Sequence, residues 1–200
     1  MNRPVSNLGS IVLAGFLVIF SSCGLFETRI PDPPTQTSSS FTPPVVDSLV
    51  FVNLVNALKD MNSLNYLRCL ADTSTSSYAF QFDPTAQARQ QYGVFLNWTK
   101  QSEEQCFVNV KSKLQSNTTV TLEFLTLVRQ SLPSDSTQYE ATYRLTVPHT
   151  QPNVPTVAQG RILFFLVVDR SRYWVIRRWV DISLNQGDFT WSDVKGVFGQ

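Results

Sequence analysis

From residue 139 the chain alternates. Tyr139, Ala141, Tyr143, Leu145 and Val147 are apolar or aromatic, and Glu140, Thr142, Arg144 and Thr146 between them are polar. A period of two puts successive side chains on opposite faces of a strand, here one dry and one wet. Residues 118–128, rich in β-branched and apolar types, predict a strand before it. Residues 157–168 predict a third, apolar on both faces from Ile162 to Val168 and therefore central in the sheet. Residues 169–172 form a tight turn, and residues 173–184 the next strand. Asn185-Gln186-Gly187-Asp188 is turn chemistry. Thr190-Trp191-Ser192-Asp193 resembles a capping box. It opens a last helix that docks on the sheet through Trp191, Val194 and Phe198.

The first half has a different period. Leu49, Val50, Leu54, Val55 and Leu58 recur at helical spacing after Asp47 or Ser48 as N-cap. Asn62-Ser63 caps a short second helix bearing Leu64, Leu67 and Leu70. Residues 78–82 alternate as a short strand, ended by Asp83-Pro84. Residues 85–98 are partly helical. Residues 102–114 predict a helix with Cys106, Phe107, Val110 and Leu114 on one face. Helices first, then an antiparallel meander and a short closing helix argue for an α+β fold and against a parallel α/β one.

The N-terminus follows neither pattern. Arg3 precedes an unbroken apolar run from Ile11 to Phe20, and Ser21-Ser22-Cys23 follows. A charged region, an apolar region and small residues at the cleavage site make an export signal. The cysteine after two serines resembles a bacterial lipoprotein signal, with Cys23 as the lipidated residue. Phe20 stands where such signals usually carry leucine. The run is shorter than the roughly 20 residues that a membrane span needs. More than one acyl chain on Cys23 would make the anchoring stable. Residues 23–44 hold prolines at 31, 33, 34, 43 and 44 and a Ser38-Ser39-Ser40 run, a composition that reads as a tether. The expected organisation is a signal peptide over 1–22, a lipid-anchored linker over 23–44 and one domain over 45–200. The expected place is the cell envelope. Gly24 lacks the acidic retention signal of enteric inner-membrane lipoproteins, so the outer membrane is expected, with the domain facing the periplasm or the exterior.

The full chain has 16 basic and 15 acidic residues. Loss of residues 1–22 removes Arg3 and no acid, leaving the counts equal. A neutral mature chain argues against nucleic-acid binding and against an electrostatic lipid-binding face. With Cys23 lipidated, Cys69 and Cys106 remain as a disulfide candidate in a compartment that permits bridges. Two buried thiols are the alternative. No metal-ligand cluster and no cofactor fingerprint occurs. His149, the single histidine, sits in a proline-bounded loop and reads as solvated surface. The two Asn-x-Thr triplets at Asn97 and Asn117 are chance matches in a bacterial lipoprotein.

Residues 51–72, Phe80-Gln81-Phe82-Asp83-Pro84 and the strand Tyr173-Trp174-Val175-Ile176-Arg177-Arg178-Trp179-Val180-Asp181 resemble domains similar to nuclear transport factor 2. The resemblance covers about residues 45–200. It implies a cone in which a curved sheet wraps a helix layer around a concave, often apolar pocket. Some enzymes of that superfamily, the ketosteroid isomerases and polyketide cyclases, use a pocket aspartate for proton transfer. On a regular strand Arg177, Trp179 and Asp181 share one face, and Trp174, Ile176, Arg178, Val180 and Ile182 the other. The first set, if it faces the pocket, makes Trp179 a wall and Asp181 the acid. The alternative pairs Asp181 with Arg177 or Arg144 across strands. Tyr66, Phe82, Trp98 and Tyr143 line the same pocket or fill it, as do Tyr92, Phe95 and Phe80. Three functions follow. One is non-catalytic binding of a small apolar ligand or an envelope partner. The second is an isomerase or cyclase using Asp181. The third is assembly, including a homodimer, through the sheet.

Overall fold

The computed structural model describes residues 40–133 and 136–200. Residues 1–22, Cys23 and the linker as far as residue 39 lie outside the described residues. Within the rest, helix α1 (Leu49–Lys59) and helix α2 (Ser63–Arg68) precede strand β1 (Gln81–Asp83). Helix α3 (Ala86–Gln91), a 3-10 turn over Gly93–Asn97 and helix α4 (Lys100–Lys113) follow. Strands β2 (Thr121–Leu132), β3 (Ser136–Thr146), β4 (Val157–Val168) and β5 (Trp174–Ile182) then lead to helix α5 (Trp191–Phe198). Among the described residues, no helix is long and apolar enough to cross a membrane.

The sheet has the order β1-β5-β4-β3-β2. Strands β2 to β5 are antiparallel neighbours, as their alternation predicts. Strand β1 is shorter than the expected 78–82 segment and pairs parallel with β5. The apolar stripe of α1 lies on the sheet's inner face. Phe51 anchors it, with its ring 4.6 Å from Tyr139 and 5.3 Å from Phe164. Such ring pairs add about 0.5–1.5 kcal/mol each beyond area burial. Ser48 stands at the N-cap of α1 without a side-chain cap. Asp47 instead accepts from the Tyr139 hydroxyl at 3.0 Å and pairs with Arg129 at 2.7 Å. Asn62 caps α2 as expected, accepting from the Asn65 amide.

Residues 40–44, placed in the tether by composition, pack on this body. Asn53 exchanges two hydrogen bonds with the backbone of Thr42, and the Trp174 amide donates to the Pro44 carbonyl at 2.9 Å. Once their backbone groups have partners in the fold, the prolines no longer act as spacer.

Strand β5 is not regular. Arg178 pairs with Phe165 and Ile176 with Leu166, so Arg177 is an extra residue in the strand. This bulge changes the strand's phase. Ile176 therefore joins Trp179 and Asp181 on the inner face, all three buried, while Arg178, Val180 and Ile182 lie outside, only partly covered. The regular-strand face assignment fails for Trp174, Ile176 and Arg177 for that reason.

Candidate functional site

The inner face of the sheet is where a pocket is expected, and α5 occupies it. The helix begins with the expected capping box, Thr190 and Asp193 each bonding the other's backbone. Trp191, Val194 and Phe198 are buried on the sheet as expected. Ser192, Asp193, Lys195 and Gly196 are buried as well, so this short helix has almost no solvent face. Gly196 permits the approach. A Cβ there would lie 2.3 Å from the Tyr92 ring.

Two buried polar networks lock the helix to the cone. In the first, Asp181 accepts from the Ser192 amide at 2.7 Å, the Ser192 hydroxyl at 2.6 Å and the Tyr143 hydroxyl at 3.0 Å. Tyr143 in turn accepts from the Trp191 amide at 2.7 Å. The carboxylate therefore satisfies the N-terminal donors of α5, groups that lack partners within a helix. Burial pushes the Asp181 carboxyl above its ordinary value, opposed by the bonds from Ser192 and Tyr143. The Tyr143 hydroxyl is raised too, by burial first and by the Asp181 charge second. Asp181 pairs with neither Arg177 nor Arg144.

In the second network Lys195, 1% exposed, meets Glu103, 2% exposed, in a buried salt bridge. Glu103 also accepts from the Trp98 indole N–H at 2.7 Å and the Tyr66 hydroxyl at 2.8 Å. The Lys195 ammonium lies 3.7 Å from the Phe82 ring centre and 4.1 Å from that of Trp179. Rings with negative faces stabilise a desolvated cation. Burial lowers the Lys195 pKa, and the Glu103 charge opposes that shift. Neither Glu103 nor Lys195 figures among the sequence candidates. Small residues at Ser192 and Gly196, four apart, are the one signal in the chain that α5 packs closely on two sides.

The structure brings all six predicted pocket residues, Tyr66, Phe82, Trp98, Tyr143, Trp179 and Asp181, into one core cluster or its polar rim. They fill the space between sheet and helices. Trp179 packs edge-on against Trp191 at 4.4 Å and against Phe164 at 4.9 Å. Phe95 sits 5.8 Å from Phe82 and 5.1 Å from Trp98. The space left beside Glu103, Lys195, Tyr66 and Cys106 is about 30 Å³. That is room for about two water molecules. Small-molecule sites run to about 300–1,000 Å³.

The remaining candidates are structural. Cys69 and Cys106 are both free thiols in the core, the second of the two readings their sequence allows. Burial pushes both up to about 12, so they stay protonated and unreactive. His149 is buried, which corrects its reading as surface. Its Nε2 lies 3.2 Å from the Pro155 carbonyl and its ring packs on Phe198. Among the described residues, no group of three or more His, Cys, Asp or Glu side chains is placed to hold a metal ion.

No family model matches the chain, and no curated protein matches it. Solved structures do. One is a provisionally assigned aromatic ring hydroxylase from Novosphingobium aromaticivorans, 12% identical, with a TM-score of 0.49 over 76% of this chain and 99% of that one. Another is a ketosteroid isomerase-like protein from Erwinia carotovora atroseptica, 12% identical, with a TM-score of 0.47 over 70% and 95%. A third is a provisionally assigned dehydratase of the NTF2-like family from Streptomyces avermitilis, 4% identical, with a TM-score of 0.48 over 69% and 93%. By its own element order and sheet, the chain is an α+β domain of the nuclear transport factor 2-like arrangement, and its likeness to these proteins is one of fold.

Proposed function

We propose that this chain is an exported, lipid-anchored and non-catalytic domain that assembles through the outer face of its sheet. The observation that carries the reading is the filled interior, with about 30 Å³ left where a ligand or substrate would sit. An isomerase or cyclase using Asp181 needs that carboxyl to meet substrate, and here it meets Ser192 and Tyr143. With the inside committed to packing, binding falls to the outside.

The outer face has the anatomy of an interface. Leu163 and Val180 are cross-strand partners at its centre, with Phe165 and Ile182 beside them, all half-buried. Strand β3 carries Gln138, Glu140 and Thr142 on this face, and beyond them Val128 on β2 is 64% exposed. Ion pairs of both signs border the β4–β5 patch, Arg161–Glu140 at 3.1 Å and Arg178–Asp83 at 2.6 Å. An apolar centre with a charged rim is what interfaces show. The partner proposed is a second copy, face to face about a twofold axis. Membrane attachment through lipid on Cys23 and an outer-membrane location are part of the same reading.

Sedimentation equilibrium of the mature chain tests it. A dimer is expected at micromolar concentration, and Phe165→Glu should shift it to monomer while circular dichroism stays unchanged. A wild-type chain that remains monomeric at high micromolar concentration would remove the assembly reading.

A further inference from the structure

We infer that the end of the domain bearing the β4–β5 turn docks on the phosphates of an anionic lipid surface through Arg170, Arg172 and Arg177. The inference rests on the proposed lipid anchor at Cys23, and three observations on this end of the fold support it.

The first is charge. The three arginines, with Tyr78, Pro133 and Phe165, line an open cleft of about 600 Å³ between the β4–β5 turn and the end of the β2–β3 hairpin. Arg129, Arg161 and Arg178 are each held by a carboxylate. Arg170, Arg172 and Arg177 enter no ion pair among the described residues. Arg177, the bulge residue, lies over the Tyr78 ring at 4.9 Å, and Arg170 reaches only the Ser74 carbonyl. Among the described residues Asp169 is the acid in the lining, and it accepts from the Tyr173 amide. Asp72, on the neighbouring cleft, is paired with Lys100 at 3.0 Å. Among the described residues of the lining, three arginines against one aspartate leave two positive charges over. A mature chain of zero formal charge thus concentrates basic groups at one end, which composition does not reveal.

The second is exposed apolar surface at the same end. Val45 and Val46 are 63% and 51% exposed, and Tyr78 46%. Apolar and aromatic groups among arginines suit the boundary between headgroups and acyl chains.

The third is where the chain enters. The Pro44 carbonyl takes the Trp174 amide, immediately after the turn that carries Arg170 and Arg172. Residues 24–39 join Cys23 to the described body at residue 40, a reach of at most about 55–60 Å when fully extended. A lipid at Cys23 would hold the arginine end within that distance of the bilayer, where even weak headgroup binding gains from high effective concentration.

The test uses the exported chain from residue 23 with Cys23→Ser, which carries no lipid. It is sedimented at low salt with vesicles of phosphatidylcholine alone and of phosphatidylcholine with one part in three phosphatidylglycerol. Binding to the anionic vesicles only is expected. Arg170→Ala/Arg172→Ala/Arg177→Ala should weaken it on the order of a hundredfold, taking each basic group as about a fivefold effect. The control Lys59→Ala/Lys113→Ala/Arg144→Ala removes the same charge from exposed sites elsewhere and should stay within about twofold. Equal binding to both vesicle types, or equal loss in both triple variants, overturns the inference. Fractionation of cells making the natural chain and Cys23→Ser tests the anchor separately. Release of the variant from the membrane fraction while the vesicle result fails would leave the anchor standing and discard the docking end.

Discussion

Lys195→Met is expected to destabilise the domain by about 3–5 kcal/mol, because it leaves a carboxylate buried without its cation. For a domain of this size that is a fall in melting temperature on the order of 10 °C. Glu103, 2% exposed, keeps its bonds from Tyr66 and Trp98 but loses its charge partner. Lys195→Met combined with Glu103→Gln should return most of the loss. Methionine fits the ring cage of Phe82 and Trp179. The glutamine carbonyl can take the Trp98 N–H, and its amide can donate to the Tyr66 oxygen. Urea unfolding of the two single variants and the double variant measures the coupling. A loss below about 1 kcal/mol for Lys195→Met would mean that the pair is hydrated.

Asp181→Ala is expected to cost about 3 kcal/mol, since the Ser192 amide, the Ser192 hydroxyl and the Tyr143 hydroxyl lose one shared acceptor inside the core. The same carboxyl also gives the protein a pH signature. Burial raises its pKa in the folded state, so between the ordinary aspartate value and that raised value the folded chain holds a proton that the unfolded chain has lost. Stability from this group is therefore full below about pH 4 and declines as pH rises through the folded value. Asp181→Asn cannot ionise and should flatten that decline. Unfolding free energies of wild type and Asp181→Asn, measured from mildly acid to neutral pH, check the sign. A wild-type curve that rises over this range relative to Asp181→Asn would mean that the bonds to Ser192 and Tyr143 outweigh burial.

The periodic parts of the fold were legible in the chain. Strand β4 runs over 157–168 as its long apolar run indicates, β3 carries the expected inner face, and the caps at Asn62 and Thr190 sit where their side-chain chemistry places them. What escaped has physical reasons. One extra residue at Arg177 reverses the phase of β5, and alternation cannot register an insertion where three apolar residues, Trp174 to Ile176, are followed by two arginines. Lys195 and Glu103 each look like solvated helix positions. Their pairing across 92 residues comes from tertiary packing, which no local period encodes. Tyr143, Trp179 and Asp181 were identified as inward-facing, but lining and filling a cone require the same residue types. The difference lay in α5, expected to dock through Trp191, Val194 and Phe198 alone, whose Ser192, Asp193 and Lys195 are buried as well and plug the interior.

That plug can be tested by hydrogen exchange of the backbone amides of Trp191 and Ser192, which donate to Tyr143 and Asp181. If α5 is a fixed part of the core, both exchange only on global unfolding, with the protection of the Phe164 amide in the sheet centre. Exchange of the two amides a thousandfold faster than Phe164 would make α5 a moving lid. The interior would then be a pocket that opens, and Asp181 a group able to meet a ligand.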